Sequence, residues 1–174
     1  MNLETRTQRP PIMTTATAAP PCGSPCADAL EMLTNGLEHT RALADECRRF
    51  ARHVSPDRDM QQVADALCRA IRKMADLEEE LFFPAARKAL ETSCVVDLAE
   101  LEHATARQII RQMQVTDPCE ARYEALVVAL VDCVERHAHL EQAELFPRLR
   151  ASCMDLAALG ERISLRQREQ DSAH

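Results

Sequence analysis

Two halves of the sequence carry the same pattern of polar residues, and this internal repeat restricts the fold more than any other feature. Leu37-Glu38-His39 recurs as Leu101-Glu102-His103, and Met74-x3-Glu78-x5-Pro84 has a counterpart in His137-x3-Glu141-x5-Pro147. Residues three and four apart share one face of an α-helix, so each half predicts a helical hairpin with polar side chains at matching levels. Two such hairpins related by a pseudo-twofold axis form a four-helix bundle, which can assemble a dinuclear metal site from facing helices.

Apolar residues repeat with the helical period in the same segments. In the third predicted helix the seam consists of Val96, Ala99, His103, Ala106, Ile110 and Met113. Steps of three and four residues are typical of the core-facing side of a helix. Glu78 and Glu141 fall in the equivalent seams of the second and fourth helices. Because an ionised carboxylate in a core is costly without a partner, we expect a cation beside them.

Capping residues and prolines divide the chain into segments. Residues 1–25 hold five of the nine prolines and show no period, which predicts a disordered tail. Ser55-Pro56 and Asp117-Pro118 have the cap-plus-proline pattern of a helix start. The predicted helices span about 27–53, 55–90, 94–115 and 117–151, with a short closing helix from 155, inside a bundle domain of residues 26–166. Short connections favour antiparallel neighbours, and residues 167–174 are expected to fray.

The composition favours an all-α, up-down-up-down bundle and argues against several classes of protein. Three glycines, no tryptophan and 3% aromatic residues suit helices better than sheets. A net charge of −7 argues against a nucleic-acid partner. The longest apolar stretch, Ala125 to Val131, is far shorter than the roughly 20 residues that cross a bilayer. We therefore expect no membrane association, a cytoplasmic location and eight reduced cysteines.

The motifs at the second and fourth helices also point to a known family. Glu78-Glu79-Glu80-Leu81-Phe82-Phe83-Pro84 and His137-x3-Glu141-x2-Glu144-Leu145-Phe146-Pro147, together with the Glu-His pairs of the first and third helices, resemble the hemerythrin HHE cation-binding family. The resemblance covers about residues 27–166. It implies a non-haem di-iron centre and a function in binding or sensing oxygen or nitric oxide, in iron handling, or in iron-sulfur repair. By position it implies the metal ligands His39, Glu78, His103, His137 and Glu141.

One position departs from the family pattern. Met74 stands where the second helix of the family carries a histidine, and a thioether is a poor ligand for iron. One metal position is therefore expected to be weak, filled by water or empty. Imidazole and carboxylate together suit iron, manganese or zinc, and spacing alone does not choose between them.

Three functions remain open at this stage. The leading hypothesis is a binding or sensing protein that holds one or two irons and takes a diatomic ligand, O2 or NO. The second is an enzyme whose di-iron site activates oxygen or peroxide, or a protein that releases iron for cluster repair. The third is a helical interaction module without metal, which the five retained ligand positions argue against.

Other residues near the motifs have simpler interpretations. Glu79, Glu80 and Glu144 are expected to lie on solvated helix faces, and the Phe-Pro pairs to end or kink their helices. Cys133, one turn before His137, is interpreted as a buried inert thiol, with a supporting role near the metal or thiolate ligation as alternatives. Cys22-x3-Cys26 is interpreted as part of the tail, with a redox pair or a metal scavenger as alternatives.

Overall fold

The computed structural model describes residues 28–51, 58–91 and 94–172, and throughout these ranges the regular structure is helical. The helices are α1 (Ala29–Ala51), α2 (Arg58–Leu77), a first π-helical segment (Glu78–Phe82), α3 (Phe83–Leu90), α4 (Cys94–Met113), α5 (Ala121–Leu140), a second π-helical segment (Glu141–Leu145), α6 (Phe146–Arg150) and α7 (Leu156–Ser172). Each π segment joins its two α-helices without a gap, which makes four long helical rods followed by α7. The predicted all-α, antiparallel four-helix bundle is confirmed.

Sequential helices are also neighbours in space. Helix α1 packs against α2 and α5, and α4 packs against α5. The buried residues of α1 follow a helical seam, with Leu33, Leu37 and Ala44 turned inward. An apolar stripe of this kind is what drives a helix into a bundle, since most helical stability comes from burial rather than from propensity.

The core consists of two apolar clusters separated by a polar layer. One cluster surrounds the rings of Phe82, Phe83 and Phe146, and the other contains Leu67, Ile110 and Leu130. The buried polar residues lie between the two clusters, and each of the four helical rods contributes at least one of them. They are Thr40, Glu78, His103, His137 and Glu141. The apolar clusters above and below this layer restrict the access of water to it.

The π segments occupy equivalent positions in the two halves of the chain. The backbone N–H of Phe83 donates to the carbonyl of Glu78, and that of Phe146 donates to the carbonyl of Glu141, each five residues back. A proline, which has no N–H to donate, follows in each case. The Phe-Pro pairs were expected to end or kink the helices, but the helices continue through them and the irregularity is the π segment just before. Such π-bulges are rare and are frequent at functional sites.

The closing helix is longer than the sequence indicates. Helix α7 continues to Ser172, so residues 167–172, which were expected to fray, are helical. Its inner face is held by Leu159 and Ile163, which are buried in the first apolar cluster. Ion pairs of Arg166 with Glu80 and of Lys73 with Asp171 join it to the second rod.

Other expectations lie outside the part of the chain described. The tail of residues 1–25 with Cys22 and Cys26 is among them, and so are the last two residues of the predicted frayed end. Within the described ranges, no helix is long and apolar enough to cross a membrane.

Candidate metal centre

Three buried side chains from three helical rods meet at one point. Glu78 comes from the first π segment, His103 from α4 and His137 from α5, and each offers a ligand atom within 4.8 Å of the other two. Glu78 Oε2 lies 2.9 Å from His103 Nε2 and 3.3 Å from His137 Nε2. The two imidazole rings face each other with centroids 4.6 Å apart. One carboxylate oxygen therefore lies between two imidazole nitrogens.

Glu141 extends this cluster from the second π segment. Its Oε2 lies 3.8 Å from His137 Nε2, and its side chain is fully buried. Glu141 is the counterpart of Glu78 in the internal repeat, and the two π segments bring the pair to one level of the bundle. Four of the five residues that the family resemblance implies as ligands are thus brought together, and their ligation of a metal stays a prediction.

His39, the fifth, is not brought to the cluster. It is exposed on α1, whereas the next residue, Thr40, is buried and turned toward the core. The two Leu-Glu-His copies face opposite ways, because Leu37 is 1% exposed in the first and Leu101 is 63% exposed in the second. With Leu101 turned outward, His103 is buried; with Leu37 turned inward, His39 is exposed. The apolar seam of each helix, not the tripeptide, decides which residue points inward.

The cluster lacks the partners that buried polar atoms require. Among the described residues, no hydrogen bond reaches either oxygen of Glu78 or Glu141 or either ring nitrogen of His137. The short distances from Glu78 to the histidines are ion-pair contacts without hydrogen-bond alignment. Burying two carboxylates in this way is costly unless a cation compensates them. Two imidazoles and two carboxylates are a donor set that suits iron, manganese or zinc, so the residues fit a metal.

Electrostatics separates the two carboxylates. Burial by itself would raise the pKa of Glu78, but contacts with His103 and His137 lower it to about 2. Burial and the charge of Glu78 raise the pKa of Glu141 well above its ordinary value. Without metal, Glu78 is therefore the anion of the pair.

The histidines respond in the opposite way. Burial favours neutral imidazole, but Glu78 and Glu79 together raise the pKa of His103 above its ordinary value. For His137 the same burial is outweighed by Glu141 and Glu78, and its pKa is raised as well. Binding of a metal ion by both imidazoles would compete with their protonation.

Glu79 supports His103 from behind. His103 Nδ1 lies 3.0 Å from Glu79 Oε1, and Arg107 donates to the same oxygen and to Asp76. A proton held on Nδ1 by this carboxylate leaves Nε2, the nitrogen that faces Glu78, free to bind a metal. Glu79 was expected to lie on a solvated face, but it is only half-exposed and has this partner. Nothing in the run Glu78-Glu79-Glu80 distinguishes it by sequence, because the partner is 24 residues away on α4.

Cys133 is beside the cluster but is not part of it. Its Sγ lies 3.1 Å from Glu102 Oε2 and donates to it, and Arg136 holds the same carboxylate. Burial, with the carboxylate of Glu102, raises the pKa of the Cys133 thiol to about 12. A neutral thiol with a hydrogen-bond acceptor fits the interpretation of an inert residue better than thiolate ligation.

A small cavity adjoins the two imidazoles. This inner cavity has a volume of about 30 Å³, and its wall includes Leu37, Ile71, Met74, Val134, His103 and His137. That is room for a water molecule or a diatomic molecule. Its walls are predominantly apolar, which favours an uncharged occupant.

Comparisons with known proteins agree with this architecture. The family model of the hemerythrin HHE cation binding domain matches residues 29–149. Among solved structures, the chain is similar to a hemerythrin HHE cation binding domain-containing protein from Mycobacterium kansasii, with 19% identity and a TM-score of 0.69. The likeness covers 84% of this chain and 89% of that chain, and at this identity it shows the fold. A comparison with curated proteins gave no significant match.

Proposed function

The chain belongs to the hemerythrin HHE cation-binding family, and from that premise we propose that it binds one iron ion through Glu78, His103 and His137. Glu141, whose Oε2 lies 3.8 Å from His137 Nε2, would supply a further carboxylate. The observation that carries this proposal is the set of buried carboxylate oxygens and imidazole nitrogens that have no hydrogen-bond partner in the described ranges. A divalent cation would coordinate these atoms, whereas a bundle without metal would leave them without hydrogen bonds.

One ion is favoured over two because the second half of a dinuclear set is incomplete. Met74 stands at the position of the repeat that is equivalent to His137, and His39 lies on the exposed face of α1. Two histidines and one carboxylate are a common ligand set for mononuclear ferrous iron. When bound, an ion with these three ligands supplies open coordination positions for a small exogenous molecule.

The inner cavity supports a diatomic ligand. Its volume of about 30 Å³ leaves no space for an organic substrate, and its wall is mostly apolar. We therefore assign binding or sensing of O2 or NO, in preference to an enzyme that transforms an organic molecule. His103 and His137 form the part of the wall from which the ligand would meet the metal.

Metal analysis tests the site. Protein purified without chelators and reconstituted anaerobically with ferrous iron should retain about one ion per chain. Glu78→Gln should lose most of this iron, because the variant removes the charge and one ligand oxygen. Glu80→Gln is the matched control, since Glu80 is exposed and pairs with Arg166 instead. Substoichiometric iron, manganese and zinc in the wild-type protein would overturn the proposal.

Nitric oxide tests the diatomic ligand. Anaerobic titration of the iron-loaded protein, followed by visible absorbance and electron paramagnetic resonance, distinguishes a single iron from a coupled pair. We expect saturable binding with the signal of a single iron. Iron-loaded protein that shows no spectral change with either NO or O2 would leave metal binding intact and refute the ligand assignment.

A further inference from the structure

Three residues that the metal site does not use meet at one place on α1 and α2. His39 is exposed, Met74 interrupts the repeat, and Gly36 lies inside α1. A glycine within a helix is less favourable than alanine, so this position needs a reason in the packing. A Cβ built on Gly36 would lie 3.0 Å from Met74 Sδ, which shows that the thioether rests against bare backbone.

Met74 also belongs to a wall between two cavities. An outer groove of about 240 Å³ opens at the surface between α1, α2 and α7, and its lining includes Gly36, His39 and Lys73. Thr40 and Met74 line both this outer groove and the inner cavity beside His103 and His137. Thr40 and Met74 are thus the two side chains that contact both spaces.

The two side chains differ in their freedom to move. Thr40 Oγ1 donates to the carbonyl of Gly36 at 2.9 Å, which fixes its rotamer. Met74 is half-buried and has three rotatable bonds, and its thioether tolerates irregular surroundings. Movement of Met74 alone would join the outer groove to the inner cavity.

We propose that Met74 is the gate through which small uncharged molecules pass from the outer groove to the metal cluster. This inference rests on the proposed function for the identity of the molecule that enters, O2 or NO. Gly36 supplies the notch in which the thioether sits when the gate is closed. Met74 therefore controls the rate at which ligand reaches the site and the size of what is admitted.

The first test uses metal-free protein and does not depend on iron. Cys133 lines the inner cavity and is buried, so its rate of labelling by hydrogen peroxide, a probe close in size to a diatomic molecule and read as the oxidised thiol, reports entry into that cavity. Met74→Ala should accelerate this labelling by about tenfold, equivalent to a barrier about 1.4 kcal/mol lower. Cys47, also buried but lining neither cavity, is the internal control, read in the same sample by peptide mass spectrometry.

Two further variants separate a gate from general loosening. Ile71→Ala enlarges the inner cavity but leaves the shared wall intact, so it should change Cys133 labelling much less than Met74→Ala. Gly36→Ala should stabilise α1, but its Cβ would fill the notch and press the thioether of Met74 toward the inner cavity. Labelling of Cys133 should therefore slow. Equal acceleration of Cys133 and Cys47 in Met74→Ala, or equal effects of Ile71→Ala and Met74→Ala, would overturn the gate.

The second test measures the association rate of nitric oxide with iron-loaded protein by stopped flow. Met74→Ala should raise this rate by about tenfold without changing the iron content. If the protein binds no iron but Met74→Ala still accelerates the labelling of Cys133, the proposed function is refuted and the gate stands. Bound iron with unchanged Cys133 labelling and unchanged association rates would refute the gate alone.

Discussion

Glu141 offers the sharpest test of the view that the polar layer is built for a cation. Its side chain is fully buried, and both oxygens lack a hydrogen-bond partner among the described residues. Burial and the charge of Glu78 raise its pKa well above the ordinary value. Because its pKa is higher in the folded than in the unfolded state, Glu141 destabilises the metal-free protein at pH values above its unfolded pKa.

Replacing Glu141 with methionine, a side chain of similar length, should remove this cost. A buried polar group without a partner costs about 1–3 kcal/mol, so the free energy of unfolding of the metal-free variant should rise by that amount. At about 2–4 °C per kcal/mol for a domain of this size, the Tm should increase by about 2–12 °C. With metal the advantage of the variant should shrink or vanish, because iron at a hundredfold excess over Kd stabilises the wild type by about 2.7 kcal/mol and the variant should lose part of that gain.

Thermal unfolding followed by circular dichroism, with chelator and with anaerobic ferrous iron, measures both effects. Glu144→Met is the matched control one turn on, where the side chain is exposed and the change should stay within about 0.5 kcal/mol. A metal-free Glu141→Met protein that melts below the wild type would mean that the carboxylate stabilises the fold by itself. The argument from unsatisfied burial would then be wrong.

Three further perturbations probe the same layer. The raised pKa values of His103 and His137 give the metal-free protein stability that is present below their unfolded pKa of about 6.5 and is lost at higher pH, so its Tm should fall as the pH rises above that value. The increase in Tm caused by metal should grow as the pH rises, since binding needs neutral imidazole. An increase that does not depend on pH would argue against histidine ligation. Met74→His should raise the iron content, measured by metal analysis, from about one toward two per chain, because this position of the repeat is equivalent to His137. Unchanged iron content would mean that the register of α2 is misread. Glu79→Gln should weaken iron binding by about tenfold in a competition titration, whereas Glu80→Gln should not. Equal iron affinities of the two variants would mean that Glu79 does not support His103.

Most of the fold was predictable because local spacing carries it. Helical hairpins follow from apolar residues three and four apart, and the pair His137 and Glu141 shares a face by helix geometry alone. The counterpart Glu78 followed from the repeat. Most helix boundaries agreed within about three residues, but α5 begins at Ala121 and not at Asp117-Pro118, and the predicted start at Ser55-Pro56 lies outside the described residues. The extension of α7 was missed because its anchoring partners lie on other helices.

The π segments were not predictable from spacing. A π turn needs one carbonyl to accept from five residues ahead, and this occurs at Glu78 and Glu141 just before a Phe-Pro pair. The prolines marked a disturbance in each helix, but not its form. Both glutamates are fully buried and lie near His137 Nε2, an arrangement that appears only when the rods are packed.

By itself, the sequence determined the helical class and the two-hairpin repeat, because these depend on the spacing of residues along the chain. The family resemblance implied five metal ligands, of which Glu78, His103, His137 and Glu141 lie together in the structure. Tertiary structure decided which residue of each tripeptide faces inward. One residue along a helix turns the side chain by about 100°, so the packing of neighbouring rods decides between His39 and Thr40. It also supplied Glu79 as the partner of His103 and the wall at Met74, since both depend on contacts between helices distant in sequence.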